Sequence, residues 1–352
     1  MIEPPAIPAA LIVTRLLEEY ALHADHVAFM PLGADVNTAV YQVEAGGAKY
    51  FLKLRSGDFN EISVSVPKFL EEHGVEAVIP PLANQSGGLW GWLDDYRMIL
   101  YPFIGGQDGY EGRLSPSQWQ AFGRAMRVIH AAELTREARL HISGETFSEH
   151  WRERVRFFQR QVERAGFADP VAAQLAAFMR VHRAEISRLV DRAEQLAGQL
   201  ASRGLPQVLC HADLHPGNLL LPTTDRSMIY IIDWDNPLYA PRERDLALIG
   251  GTYAWRRARD VRRFYRGYLT PEAIPGAETG WQSKVEQQPE IDLDALLYYR
   301  YERIVVDIAE FSEQLLTTTA GGEDRTQSYT YFTSAFLPDH ELELTFRGDP
   351  LA

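Results

Sequence analysis

One stretch constrains this chain more than any other. Residues 210–218 read Cys-His-Ala-Asp-Leu-His-Pro-Gly-Asn, and residues 231–235 read Ile-Ile-Asp-Trp-Asp. An acid (Asp213) is followed by an amide five residues on (Asn218) and by a second acid twenty residues on (Asp233). Residues 207–210 read as a short buried strand that ends at the loop 211–217. Residues 219–221 and 228–232 read as two further strands, joined by a turn rich in Thr, Asp and Ser. Asn218 then sits where the loop enters the second strand, and Asp233 where the third strand ends. A hairpin of this length brings its two ends together, so one ion meets an amide oxygen and a carboxylate. Mg²⁺ prefers hard oxygen ligands and keeps several waters, so this pair with phosphate oxygens suits it. Asp213 stays on the loop to face an acceptor hydroxyl and take its proton. The spacing suits phosphoryl transfer from ATP. Taken singly, each residue also reads as part of a turn capped by its own side chain. The three together favour the chemistry.

The motif His211-x-Asp213-x-His215-x-Gly217-Asn218, with Ile232-Asp233-Trp234, resembles the aminoglycoside phosphotransferase and choline-kinase superfamily. That resemblance implies an α+β, two-lobed protein-kinase-like fold, with an N-terminal antiparallel sheet lobe and a larger, mainly helical C-terminal lobe. It implies that Asp213 is the catalytic base and that Asn218 and Asp233 are the Mg²⁺ ligands. Residues 101–110, 243–251 and 298–309 look like the spectinomycin phosphotransferase branch of the superfamily. The likeness runs from about residue 30 to 315.

Composition agrees. A chain of 352 residues is long enough for two lobes and a sizeable core. The net charge of −13 argues against nucleic acid or an anionic membrane as partner and would attract cations. Solubility alone is an equal explanation of that charge. The single cysteine excludes an intramolecular disulfide, and Cys210 reads as a packed thiol beside the loop. No apolar run approaches the ~20 residues of a membrane span. The N-terminus lacks a basic segment followed by an apolar core. A cytoplasmic, monomeric protein is expected.

Only four of the 35 basic residues are lysines, so a lysine inside an apolar strand stands out. Lys53 is that residue, and a charge in such a strand needs a partner. Residues 8–22 have helical periodicity, and 27–32, 36–44 and 49–54 read as strands, with a hairpin turn at 45–47. In a kinase, the loop between the first two strands covers nucleotide phosphates and the third strand's lysine pairs with them. Gly33, Asn37 and Thr38 are the loop's candidates, although only Gly33 matches the kinase glycine pattern. A helix over 59–73 would supply an acid to Lys53, and Glu61 is the choice. Residues 78–83, 90–93 and 96–103 complete the sheet. Residues 1–100 thus form the nucleotide-binding lobe, and 101–106 the hinge. Phe103 and Ile104 are expected against the adenine edge, with Leu100 and Tyr101 lining the pocket wall. Gly105 and Gly106 permit hinge motion.

Residues 107–352 form the C-terminal lobe. Ser115, Pro116 and Gln118 start a helix through a capping box and carry it to His130. Residues 148–164 and 170–200 read as two more helices, and 273–289 as a loop. A helix begins at Glu243 only ten residues after Asp233, which leaves no room for a protein kinase's long activation loop. A small-molecule acceptor is therefore favoured. Asp245 is expected to fix the catalytic loop, through His211 or through backbone amides. Asp307 lies in an apolar helical run, where Arg303 is a partner within the helix. A cationic substrate is the other reading of Asp307, together with Tyr298 or Glu302. Asp108, Tyr110 and Asp235 are further pocket candidates. The function expected is ATP- and Mg²⁺-dependent phosphorylation of a hydroxyl on an aminocyclitol or aminoglycoside antibiotic, spectinomycin first, as in antibiotic resistance. The alternatives are a kinase of choline, homoserine or a sugar, and a nucleotide-binding protein without transferase activity.

Overall fold

The computed structural model describes residues 4–33, 37–270, 289–319 and 321–351. The first helix, α1 (Ala9–Tyr20), buries Ile12 and Leu16 completely. Strands β1 (His26–Met30), β2 (Thr38–Ala45) and β3 (Ala48–Arg55) follow. Ala45 pairs with Ala48 across Gly46 and Gly47. Both glycines have positive φ, the geometry a two-residue hairpin needs to match strand twist. After α2 (Ile62–Glu72) come β4 (Gly91–Leu93) and β5 (Tyr96–Pro102). The five strands form one antiparallel sheet in the order β1-β2-β3-β5-β4. Its core holds Ile12, Leu16, Val43, Leu52, Leu54 and Met98. Residues 78–83, expected as a strand, are not one. Val78 makes a single bridge to Ile231, and Leu82 donates its N–H to Leu100 at 2.7 Å.

β6 (Gly106–Asp108) leads to α3 (Pro116–Ala131), where the expected capping box is complete: Ser115 accepts from Gln118 N–H and Gln118 accepts from Ser115 N–H. A short α4 (Arg136–Leu140) follows. The next helices are α5 (His150–Arg164), α6 (Pro170–Val181) and α7 (Arg183–Ala201). One helix was expected over 170–200, and two are present. His182 breaks the run and stacks its ring on Phe178, with centroids 4.2 Å apart. Then come β7 (Val208–Cys210), β8 (Leu219–Pro222), β9 (Tyr230–Ile231) and β10 (Leu238–Ala240). Helices α8 (Glu243–Leu246), α9 (Ala258–Leu269), α10 (Leu293–Thr317), α11 (Gly322–Ser334) and α12 (Glu341–Gly348) complete the described chain. The loop expected over 273–289 lies almost wholly outside the described residues.

Two compact units emerge. The first comprises Met1–Ile142, Asp213–Pro237 and Arg263–Gln288, and so contains the five-stranded sheet and the three-stranded sheet β6-β8-β9. The second comprises Ser143–Ala212, Leu238–Arg262 and Pro289–Ala352. Its core is helical: α10 packs on α5 and α7 through Val155, Phe158, Leu189, Ile304, Val305 and Ile308. An antiparallel sheet early in the chain and a mainly helical remainder make the α+β architecture expected. No helix among the described residues is long and apolar enough to cross a membrane.

Candidate active site

The loop motif at 211–218 is prepared by a buried strand and two backbone anchors. β7 pairs with β10, and Cys210 at its end is fully buried, its Sγ near the carbonyls of Ala240 and Pro241. Burial pushes its thiol well above the ordinary cysteine range. Asp245, 1% exposed, accepts the N–H groups of His211 and Ala212, both at 2.8 Å. The sequence left open whether Asp245 acts through the His211 side chain or through backbone amides, and the backbone contact is present. Ala212 has φ 69, in the left-handed region that costs a non-glycine residue ~1–2 kcal/mol. The hydrogen bonds that Asp245 accepts from Ala212 N–H and from its neighbour His211 N–H hold it there, immediately before Asp213 in the chain.

Within the first unit, Asn218 donates its side-chain N–H to the Asp213 carbonyl at 2.8 Å and reaches the Asp213 carboxylate at 3.4 Å. With its nitrogen so engaged, the amide turns its oxygen the other way. Strands β8 and β9 pair Leu219 with Ile231, and Ile232 N–H donates to the Asn218 carbonyl at 3.0 Å. The hairpin therefore closes as the spacing requires, and Asp233 is the next residue. It too is left-handed, with φ 64, a conformation that clusters at functional sites. Trp234 is buried behind it, donating its indole N–H to Ile231. Asp213, Asn218 and Asp233 are thus gathered on one loop and hairpin. An amide oxygen and a carboxylate at its end are donors of the kind Mg²⁺ takes.

Lys53 enters this site from β3. It is 8% exposed, and its Nζ lies 2.7 Å from Asp233 Oδ1 and 2.9 Å from both oxygens of Asp235. Burial alone would lower its proton affinity. The carboxylates of Asp233 and Asp235 outweigh that and raise it above the ordinary lysine value. Two expectations are corrected here. Glu61 does not pair with Lys53: it stands exposed at the start of α2, and the acids on the segment after β9 take that role. Asp235 does not stand apart as an acceptor residue, because Lys53 and Arg55 both hold it. Burial and the neighbouring Asp233 raise the Asp235 pKa, against the pull of those two cations. Arg55 carried no sequence expectation. Its position two residues after Lys53, hence on the same strand face, was the available signal.

The segment expected as a hinge also differs in detail. Phe103 N–H donates to the Lys49 carbonyl at 3.3 Å, so this amide belongs to the sheet and not to a base edge. The Leu100 carbonyl is taken by Leu82. Strand alternation then leaves the Pro102 carbonyl and the Ile104 amide on the edge away from β3. Leu100 is buried, and burial raises the Tyr101 hydroxyl above its ordinary range. In the loop expected to cover phosphates, Gly33 has φ 84 and Thr38 is buried. The Asn37 carbonyl accepts Ser56 N–H at 3.0 Å. Residues 34–36 lie outside the described set.

The expected acceptor residues separate. Asp108 accepts the N–H groups of Tyr110 and Glu111, and Gly109 N–H donates to the Pro216 carbonyl. The half-exposed Tyr110 lies beside His215, with ring centroids 6.2 Å apart, and His215 Nε2 is 3.9 Å from Asp213 Oδ2. Asp108 and Tyr110 therefore stand against the Asp213 loop. His215 was part of the motif but carried no role in the sequence reading. In the second unit, Glu302 is 6% exposed and paired with Arg152 at 3.1 Å. Arg152 also reaches the buried Tyr298 hydroxyl at 3.4 Å. Burial raises the Glu302 pKa, with Arg152 opposing. This buried network corrects the expectation that Tyr298 and Glu302 meet substrate. Asp307 pairs with Arg303 one helical turn away at 3.1 Å, as its structural reading required.

The chain matches the family described as phosphotransferase enzyme family over residues 28–281. Among solved structures, spectinomycin phosphotransferase APH(9)-Ia, in complex with ADP and spectinomycin, is similar over 98% of this chain and 99% of its own. Identity is 32% and the TM-score 0.86. A microcompartment-associated aminopropanol kinase, 18% identical, shares the fold with a TM-score of 0.60 over 95% of this chain and 99% of its own. Protein StrN of Streptomyces griseus is 27% identical over 218 residues, 57% of this chain. The chain spans 63% of the length of that relative.

Proposed function

The chain belongs to the phosphotransferase enzyme family, and from that premise we propose that it transfers the terminal phosphate of ATP to a hydroxyl of an aminocyclitol antibiotic, spectinomycin first. The observation that carries this reading is the convergence of Asp213, Asn218 and Asp233, with Lys53 on Asp233. Asp213 orients the acceptor hydroxyl and accepts its proton. Lys53 steadies the nucleotide phosphates. Asn218 and Asp233 would hold Mg²⁺, which neutralises phosphate charge when bound. The hairpin fixes Asn218 and Asp233 in advance, and Asp245 holds the two residues before Asp213, so catalysis is mainly positioning and charge compensation. Pro102 and Ile104 present a carbonyl and an amide to the base, between walls formed by Leu100 and Tyr101. In this reading residues 1–100 bind nucleotide, 101–106 are the hinge, and 107–352 supply the catalytic loop and acceptor site. A monomer in the cytoplasm, where ATP is available, completes it.

Support for the acceptor comes from the 32% identity to an enzyme solved with spectinomycin and from the net charge of −13, which favours a cationic ligand. Asp108 and Tyr110, beside the Asp213 loop, are the proposed acceptor contacts. The test is ADP release with ATP and Mg²⁺ against a panel of spectinomycin, an aminoglycoside, choline, homoserine and a sugar. Turnover highest with spectinomycin is expected. Turnover of another panel member with none of spectinomycin would reassign the acceptor. ATP binding without transfer to any member would defeat the enzyme reading.

A further inference from the structure

The cluster around Lys53 contains a second cation to which phosphoryl transfer assigns no part. Arg55 stands two residues after Lys53 on β3, so both side chains leave the same face of the sheet. Both reach Asp235. Lys53 Nζ lies 2.9 Å from each of its oxygens, and Arg55 Nη1 donates to Oδ2. The side chains of Lys53, Arg55 and Asp235 are 10, 21 and 20% exposed, whereas that of Asp233 is 46% exposed. The more buried carboxylate is therefore the one gripped from two sides, and the more open one is the proposed metal ligand. Arg55 Nε is buried and has no hydrogen-bond partner among the described residues. Asp235 is thus the anchor of the Arg55 guanidinium.

We infer that Arg55 is a positioning residue for nucleotide binding, holding Asp235 so that one carboxylate remains on Lys53 when Asp233 turns to the metal. The inference rests on the phosphotransferase reading. An ammonium shared by two carboxylates loses half its restraint when one is drawn away. The other restrains it only if it is itself fixed. Asp235 lies on the irregular segment after β9, whereas Arg55 lies on a strand paired on both sides, with Thr38 and Arg97. The guanidinium transmits the rigidity of the sheet to Asp235, and Asp235 passes it to Lys53.

The experiment compares wild type, Arg55→Met, Arg55→Lys, Asp235→Asn and the double variant Arg55→Met with Asp235→Asn. Titration calorimetry measures ATP binding with and without Mg²⁺, and steady-state kinetics measures the acceptor KM. Arg55→Met is expected to weaken ATP binding on the order of tenfold, the scale of one charged hydrogen bond. The acceptor KM stays unchanged, and Arg55→Lys recovers most of the loss. In the Asp235→Asn background, Arg55→Met costs less than a third of what it costs in wild type. Full ATP affinity in Arg55→Met, or an equal loss in both backgrounds, overturns the inference. If Arg55→Met loses the folded state, Arg55→Gln takes its place in both backgrounds under the same criteria. Failure of wild type to phosphorylate any acceptor would instead strike the phosphotransferase reading, and the binding comparison would still be readable.

Discussion

Replacing Asp245 with alanine removes the acceptor of two backbone N–H groups, those of His211 and Ala212, each at 2.8 Å. The site is 1% exposed, so water does not replace the carboxylate without rearrangement. A hydrogen bond to a charged partner contributes about 1.5–3 kcal/mol, so losing both costs about 3–6 kcal/mol. That is a large share of the ~5–15 kcal/mol by which folded domains exceed their unfolded states. The local consequence is specific. Ala212 occupies a left-handed conformation at φ 69 that its side chain disfavours. Without Asp245 it relaxes, and Asp213, the next residue, moves with it. Asp245→Asn keeps one acceptor oxygen and turns an N–H₂ toward the other donor, so it loses at least half as much. Guanidinium unfolding at constant slope gives the stability change. Turnover of the same variants should fall more than tenfold, while ATP affinity stays within about threefold, since Lys53 is held elsewhere. Asp245→Ala with a stability loss under ~1 kcal/mol and wild-type turnover would refute the reasoning.

Three further outcomes follow from single residues. Cys210 is fully buried and its thiol is pushed well up by that burial, so a thiol reagent should modify it only in denaturant. Rapid labelling of the folded protein would contradict this. A Cβ on Gly123 would lie 2.1 Å from the Phe264 carbonyl oxygen and 2.7 Å from Tyr268 N, both backbone atoms. Gly123→Ala should therefore cost ~2 kcal/mol or more in thermal unfolding, and an unchanged melting temperature would show that this contact yields. Lys53 has its pKa raised in the folded protein, first opposed by burial and then overcome by Asp233 and Asp235. Its contribution is present in full below the unfolded value of ~10.4 and is lost as pH rises through the folded one. The stability gap between wild type and Lys53→Met should hold steady from pH 7 to 9 and narrow above that unfolded value. A gap that widens with alkalinity would reverse the sign.

What the sequence disclosed was local. The spacing of Asn218 and Asp233 follows from hairpin length, and the capping box at Ser115 and Gln118 is a pattern within one helical turn. Lys53 was conspicuous because lysine is scarce here and its strand is apolar. Long-range choices were less legible. Asp233 and Asp235 lie about 180 residues beyond Lys53, and nothing in the chain near Lys53 announces them, so Glu61 was the nearer candidate. Arg55 was hidden by the general abundance of arginine. The break at His182 was invisible because apolar periodicity continues on both sides of it, and the stacking on Phe178 accompanies the turn. Position along the chain alone points Phe103 at the base edge, yet the register of β5 on β3 decides which amides remain available. Glu302 followed the same rule: its partner Arg152 comes from another helix and settles the question of exposure.

In the proposed reaction Asp213 acts as the base while the metal and phosphate groups are held by other residues. The most direct test is Asp213→Asn, with single-turnover transfer from ATP to spectinomycin measured beside ATP binding. Loss of a general base should lower transfer by ~10²-fold or more, with ATP affinity within about threefold of wild type. Transfer at the wild-type rate by this variant would contradict the account.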